Sequence, residues 1–324
     1  MEAQRYPRDY DGIIAGNPAA DRVHEEFGYL WAWMATHENG SSLLTTAKLQ
    51  LVTKSAVAAC DALDGVKDGV IGDPRRCHFD PASIACRDGT TEGCLTAAEV
   101  GALRKVYDGP RNPRTGERIF HGWAPGSEGY GETPNEGWGN FINIREPRRV
   151  DFFRYFVFNN PNWDWNSIDW DRDVEYADQK MGFIDATSRD LNAFRARSGK
   201  LLMYTGWVDP ILPPLDIVDY YEAVSKTAVN KTRDAAARTS DFFRLYMVPG
   251  MAHCSGGTGT TEFDMLSALE QWVEKKAAPD RIIAASGKGR EKRTRPLCPY
   301  PQTAHWKGAG STDEAANFTC GVNR

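Results

Sequence analysis

Two segments of this chain share a pattern. "GKLLMYTGWVDPILPP" and "FFRLYMVPGMAHCSGG" each set a short apolar run before a loop of Gly and Pro. Short apolar runs rich in aromatic and branched side chains and closed by turn residues read as buried strands. The strands are Leu201–Tyr204 and Phe242–Val248, and amphipathic helices are expected near Leu215–Val224 and over about Glu262–Lys276. Strand, loop and helix repeated in this order build parallel strands with crossover helices. A third strand is expected near the start: Met1–Tyr6 has helix formers, Pro7 stops them, and the apolar Gly12–Ala15 is closed by Gly16-Asn17-Pro18. The fold class is α/β.

The first and second strands are separated by a stretch of different texture, with Gly/Pro/Asn passages such as "WAPGSEGYGETPNEGWGNF". It reads as a domain inserted into an α/β core, with residues 1–38 and 198–324 as the two parts of the core and 39–197 as the insert. Its glycines are not followed by Lys-Ser/Thr, so no phosphate loop is expected. At 324 residues and 26% charged, with 18 Pro and 30 Gly, the chain reads as an ordered, loop-rich globular protein. A formal charge of −5 gives no electrostatic reason to bind nucleic acid. No apolar run approaches the roughly 20 residues that cross a bilayer.

Seven cysteines are present and none forms a Cys-x-x-Cys pair, which argues against structural zinc. Cys60/Cys77, Cys86/Cys94 and Cys298/Cys320 are natural local pairs that close loops, and such pairing implies an oxidising compartment. Cys254 is left over, as a buried thiol, a surface thiol, an intermolecular bridge, or a cysteine whose partner has been cut away.

Functional groups of a doubly wound sheet gather at the carboxyl ends of its strands. Asp209 follows the Leu201 strand and His253 follows the Phe242 strand. Acid then histidine is the second half of the Ser…Asp…His order of α/β-hydrolases, in which the acid fixes the imidazole tautomer and the histidine shuttles the nucleophile's proton. The nucleophile is the gap. No Gly-x-Ser-x-Gly occurs in the chain. Ser255 in "HCSGG" lies too close to its base for triad geometry and reads as a loop hydrogen-bonder. His24, His37, His78, His121 and His305 lack a strand-end setting and read as structural or solvent-facing. "CDALDGVKDGVIGDP" sets Asp61, Asp64 and Asp68 among glycines. On residues alone this is a solvated acidic turn by default, or a loop whose hard oxygens suit Ca²⁺ without EF-hand spacing.

Four of these segments carry a family resemblance. "MEAQRYPRDYDGIIAGNPA", "YTGWVDPILPP", "VPGMAHCSGG" and "RPLCPYPQTAHWKG" resemble the tannase/feruloyl esterase family of α/β-hydrolases, which includes the mono(hydroxyethyl)terephthalate hydrolases. The resemblance implies an α/β-hydrolase core with a large lid over 39–197, Asp209 as catalytic acid and His253 as base. In the family, Gly-Cys-Ser-x-Gly-Gly-Arg precedes the opening helix, so the serine is expected about eight residues before Met1. Its neighbouring cysteine would bridge to Cys254, leaving Cys254 an orphan here. The family's lid calcium site implies Ca²⁺ held by side chains of Asp61, Asp64 and Asp68 and by carbonyls of Val66 and Val70, with Cys60–Cys77 closing the loop. The aromatics of "FRYFVFNNPNWDW" and "GYGETPNEGW" read as lid core or as a wall for a planar acyl group. After Lys275 the tail reads as a surface strap pinned by Cys298–Cys320. The expected protein is a secreted or periplasmic serine esterase acting on feruloyl, galloyl or related aromatic esters, small or borne on a plant polymer. The chain itself is expected to be inactive for want of its nucleophile. The alternative is a non-catalytic remnant, a Ca²⁺-binding, disulfide-stapled domain.

Overall fold

The computed structural model describes residues 1–87, 89–227, 239–287 and 292–322. After a short helix, Glu2–Arg5, the chain enters strand β1, Gly12–Gly16. A hairpin of β2 (His37–Glu38) and β3 (Ser41–Ser42) follows the long helix Arg22–Thr36. The parallel partners of β1 come much later, as β4 (Lys200–Gly206) and β5 (Phe243–Val248). They form a three-stranded parallel sheet in the order β1-β4-β5, with Ile14 opposite Leu202 and Met203 opposite Leu245.

The side chains of this sheet alternate between two cores, as pleating requires. Leu201, Met203, Phe243 and Leu245 face one side, where Ile217, Val218, Tyr221 and Val224 of the helix Pro214–Thr227 cover them. Leu202, Tyr246 and Val248 face the other, under Met265, Leu269 and Trp272 of the helix Met265–Lys275. A sheet buried on both faces explains why these strands read as largely apolar runs. Each fully buried Leu or Phe here contributes about 2 kcal/mol relative to exposure.

The second helix starts three residues later than the amphipathic pattern suggests. Asp264 caps it by accepting from the Ser267 amide, and Thr260–Glu262 is instead strand β6. Strand β6 pairs antiparallel with β7 (Ile282–Ser286), which pairs with β8 (Thr294–Leu297). The last strands, β9 (Gln302–Trp306) and β10 (Phe318–Val322), form an antiparallel pair. The tail is therefore more than a surface strap: Leu297, Cys298 and Phe318 are buried, and Tyr300 donates its amide to Leu245 of β5.

Between β1 and β4 the described residues contribute helices, turns and the small hairpin, and no strand to the parallel sheet. Three further cores hold this segment together, one around Leu49, Leu103 and Trp138, one around Phe27, Phe153 and Trp163, and a small one around Cys60, Ile71 and Cys77. All three local disulfides form: Cys60–Cys77, Cys86–Cys94 and Cys298–Cys320.

Candidate active site

The carboxyl ends of the three parallel strands converge on one spot. Strand β4 ends at Gly206, and the turn that follows delivers Asp209, which is fully buried. Strand β5 ends at Val248, and its loop delivers His253. The two loops are stapled by backbone: Trp207 donates to Val248 O at 3.0 Å and Val208 to Met251 O at 3.1 Å. A Cβ on Gly206 would sit 2.0 Å from Met251 O, so no larger residue allows this approach. The histidine loop closes on itself at Gly257, which has φ +93° and would place a Cβ 2.1 Å from Gly250 O.

His253 Nδ1 lies 2.9 Å from Asp209 Oδ2. Asp209 Oδ1 accepts from the amides of Ile211 at 2.7 Å and Leu212 at 3.0 Å. These bonds fix the carboxylate, and the carboxylate fixes which imidazole nitrogen carries the proton. The hydrogen bond to Asp209 and its charge raise the His253 pKa above 6.5, against the opposing effect of burial. The side chain stays 30% exposed, so its far nitrogen is not sealed in.

A third group completes the clamp, and sequence reasoning passed over it as a turn residue. Asn17, just beyond β1, is buried and donates its Nδ2 to Asp209 Oδ2. Its amide bonds to Tyr204 O at 2.8 Å, and its φ of 40° lies in the left-handed region that Asn tolerates. The signal was the Gly16-Asn17-Pro18 turn at the end of the first strand.

Among the described residues, no serine or threonine hydroxyl hydrogen-bonds to His253, Ser255 included. Cys254 is a free, exposed cysteine whose Sγ lies 3.8 Å from Gly16 O. Burial and then the charge of Asp209 raise its pKa, which keeps it a thiol rather than a nucleophilic thiolate. The middle segment reaches this site: a Cβ on Gly256 would lie 3.7 Å from Asn135 Nδ2. The charges of Glu25 and Arg149 also act on His253.

Two other histidines have carboxylate partners as well. His24 lies 3.0 Å from both Asp21 and Asp178, and His121 lies 2.6 Å from Asp219. His24 sits in the first turn of the helix Arg22–Thr36 rather than in the loop at the end of β1, and His121 follows no strand of the parallel sheet. Of the aromatics in the middle segment, Phe153, Trp163 and Trp138 are core, whereas Tyr155 and Phe156 are exposed.

The acidic loop is only partly assembled as a metal site. Asp61 accepts from the amides of Asp68 and Gly69, and Asp68 pairs with Arg295 at 2.6 Å. Among the described residues, therefore, no three carboxylates converge as a metal-holding group. Asp64 accepts from the Val66 amide, while burial and the charges of Asp68 and Asp61 push its pKa up to about 6. The donors are all hard oxygens; Asp61, Val66 and Val70 are buried, and Asp64 and Asp68 are half-buried. Their chemistry fits Ca²⁺.

Residues 1–321 match the family described as Tannase and feruloyl esterase. The chain belongs to this family. It is 39% identical to an uncharacterized esterase of Xanthomonas campestris pv. campestris, over 99% of this chain and 62% of that protein. It is 35% identical to the mono(2-hydroxyethyl) terephthalate hydrolase of Piscinibacter sakaiensis, over 99% of this chain and 61% of that protein. The crystal structure of feruloyl esterase B from Aspergillus oryzae superposes with a TM-score of 0.87 at 27% identity, covering 98% of this chain and 65% of that one. The chain thus spans less than two thirds of the length of each of these tannase/feruloyl esterase relatives.

Proposed function

We propose that this chain carries the base and acid of a serine carboxylic-ester hydrolase, with His253 as base and Asp209 as its orienting acid. The observation that carries this reading is the His253–Asp209 hydrogen bond of 2.9 Å at the ends of adjacent parallel strands, beneath the clamp of Asn17, Ile211 and Leu212. In the working enzyme His253 takes the proton of a serine hydroxyl as it attacks the ester carbonyl, then returns it to the leaving alcohol. Asp209 stabilises the imidazolium formed between these steps. No Gly-x-Ser-x-Gly lies in this chain, so the serine is supplied by polypeptide outside these residues.

Residues 39–197 act as a lid over an α/β-hydrolase core. The substrates are aromatic acyl esters of the feruloyl or galloyl kind, in keeping with the feruloyl esterases among the relatives. The acidic loop holds one structural Ca²⁺ through Asp61, Asp64 and Asp68 with the carbonyls of Val66 and Val70. Three disulfides suit a secreted or periplasmic protein. The lack of a hydroxyl on His253 favours a second reading, a binding remnant without turnover.

A gain-of-function experiment separates the two. The chain is joined to the part of the Xanthomonas relative that it does not cover, and assayed on methyl ferulate. Hydrolysis that disappears in His253→Ala and falls sharply in Asp209→Ala supports the esterase reading. A folded fusion whose turnover ignores both substitutions overturns it.

A further inference from the structure

We propose that Arg75, which lies in the middle segment far from the strand ends in sequence, is a positioning residue for the Asp209–His253 pair. The proposal rests on the reading of that pair as acid and base. Arg75 sits in a short turn that begins at Asp73 and ends at Cys77, where the Cys60–Cys77 disulfide anchors it. Asp73 is buried, and its carboxylate grips the guanidinium with both oxygens, Nε to Oδ1 at 2.9 Å and Nη2 to Oδ2 at 2.7 Å. A bidentate fork of this kind fixes the plane of the side chain.

The held plane has a second set of partners in the core. Arg75 Nη1 donates to the Tyr300 hydroxyl at 2.7 Å, and that hydroxyl donates in turn to Glu222 Oε1 at 2.6 Å. The donor directions are consistent along the whole relay, from Arg75 to Tyr300 to Glu222. Its anchors are three separate parts of the chain: the Cys60–Cys77 loop, the tail, and the helix Pro214–Thr227. The tail end is itself tied to β5 through the bond from the Tyr300 amide to Leu245 O at 2.7 Å.

The guanidinium also lies over two rings, 5.0 Å from the centroid of Tyr300 and 5.6 Å from that of Trp207. Trp207 begins the turn that delivers Asp209, is buried, and is bonded to the end of β5. Arg75 therefore caps a large side chain that stands on the path from Gly206 to Asp209. Loss of that cap frees Trp207 to shift. A shift of Trp207 passes along the turn to Asp209, two residues on, whose N–H bonds back to Gly206 O at 3.3 Å, and so lengthens the Asp209–His253 bond.

The test is an NMR pH titration of the His253 imidazole in the full chain, assigned by its loss in His253→Gln. Arg75→Ala is expected to lower the His253 pKa toward 6.5. Arg75→Lys, which keeps the charge but not the fork, is expected to lower it less. Arg104→Ala breaks an exposed ion pair to Asp80 elsewhere in the middle segment and should leave the titration unchanged. If Arg75→Ala does not fold, Arg75→Lys and Tyr300→Phe read the same shift. Asp209→Asn separates the two levels of the argument. If it leaves the His253 titration unchanged, the acid–base reading itself is wrong. If it moves the titration while folded Arg75 variants do not, Arg75 is structural only and the proposal is overturned.

Discussion

Replacing Asp209 should separate stability from proton chemistry. The carboxylate is fully buried and accepts from Ile211 N at 2.7 Å, Leu212 N at 3.0 Å, Asn17 Nδ2 and His253 Nδ1 at 2.9 Å. In Asp209→Ala the donors of Ile211, Leu212 and Asn17 lose their acceptor in a buried site, while His253 still reaches water. At about 1 kcal/mol for each orphaned donor the loss is about 3 kcal/mol, offset in part because a buried charge is also removed. A net cost of about 2 kcal/mol lowers the melting temperature of a chain this size by roughly 4 °C. In Asp209→Asn the amide oxygen still accepts from Ile211 and Leu212, so the cost falls to about 1 kcal/mol. Its NH2 group, however, faces the NH2 of Asn17 and cannot accept from His253. Both variants should therefore lose the raised His253 pKa while differing in stability.

The direction with pH follows from linkage. A histidine whose folded pKa is raised contributes stability that is full below 6.5 and is lost as pH rises through the folded value. The deficit of Asp209→Asn should thus be larger in melts below pH 6.5 than in melts above the folded pKa. Thermal melts at the two pH values, paired with the imidazole titration, provide the assay. Equal melting temperatures for the Ala and Asn variants, with His253 unmoved in both, would refute the clamp.

Three further outcomes are expected. Millimolar Ca²⁺ should raise the melting temperature and Asp64→Ala should abolish the response, as differential scanning fluorimetry will show, because a ligand bound only to the folded state stabilises it. Thiol titration of denatured, unreduced protein should find one reactive group, and peptide mapping should place it at Cys254, the free cysteine beside three disulfides. Burial opposes protonation of His24, yet its hydrogen bonds to Asp178 and Asp21 raise its pKa from 6.5 to about 10. Denaturant unfolding should accordingly show a stability contribution that is full below pH 6.5 and fades as pH rises through about 10, and that is missing in His24→Asn.

The parallel strands, and the placement of Asp209 and His253 just beyond their carboxyl ends, were legible in the sequence for one physical reason: a doubly buried sheet needs largely apolar runs, and each run is closed by the loop that holds the residue. Leu201–Tyr204 and Phe242–Val248 meet that condition, and Asp209 and His253 are the first ionisable residues in their loops. The local disulfides were legible because each closes a short loop. Asn17 was not, since an Asn between Gly and Pro reads as a turn whether or not its amide reaches a buried carboxylate. Arg75, Tyr300 and Glu222 lie in three distant parts of the chain, and only tertiary packing reveals their relay. The acidic loop shows the opposite limit. Its spacing brought Asp61, Asp64 and Asp68 into one loop, but not the competition of Arg295 for Asp68.

The central claim is that this chain holds a base and its acid but no nucleophile. The most direct test is ester turnover by the purified 324-residue chain alone, on methyl ferulate and a galloyl ester, with His253→Ala as control. The account predicts hydrolysis no faster than buffer for both proteins, because a histidine and an acid without a nucleophile leave binding only. Turnover above background that His253→Ala removes would contradict it, and would mean that a hydroxyl or thiol of this chain, Ser255 or Cys254 first, reaches the imidazole after all.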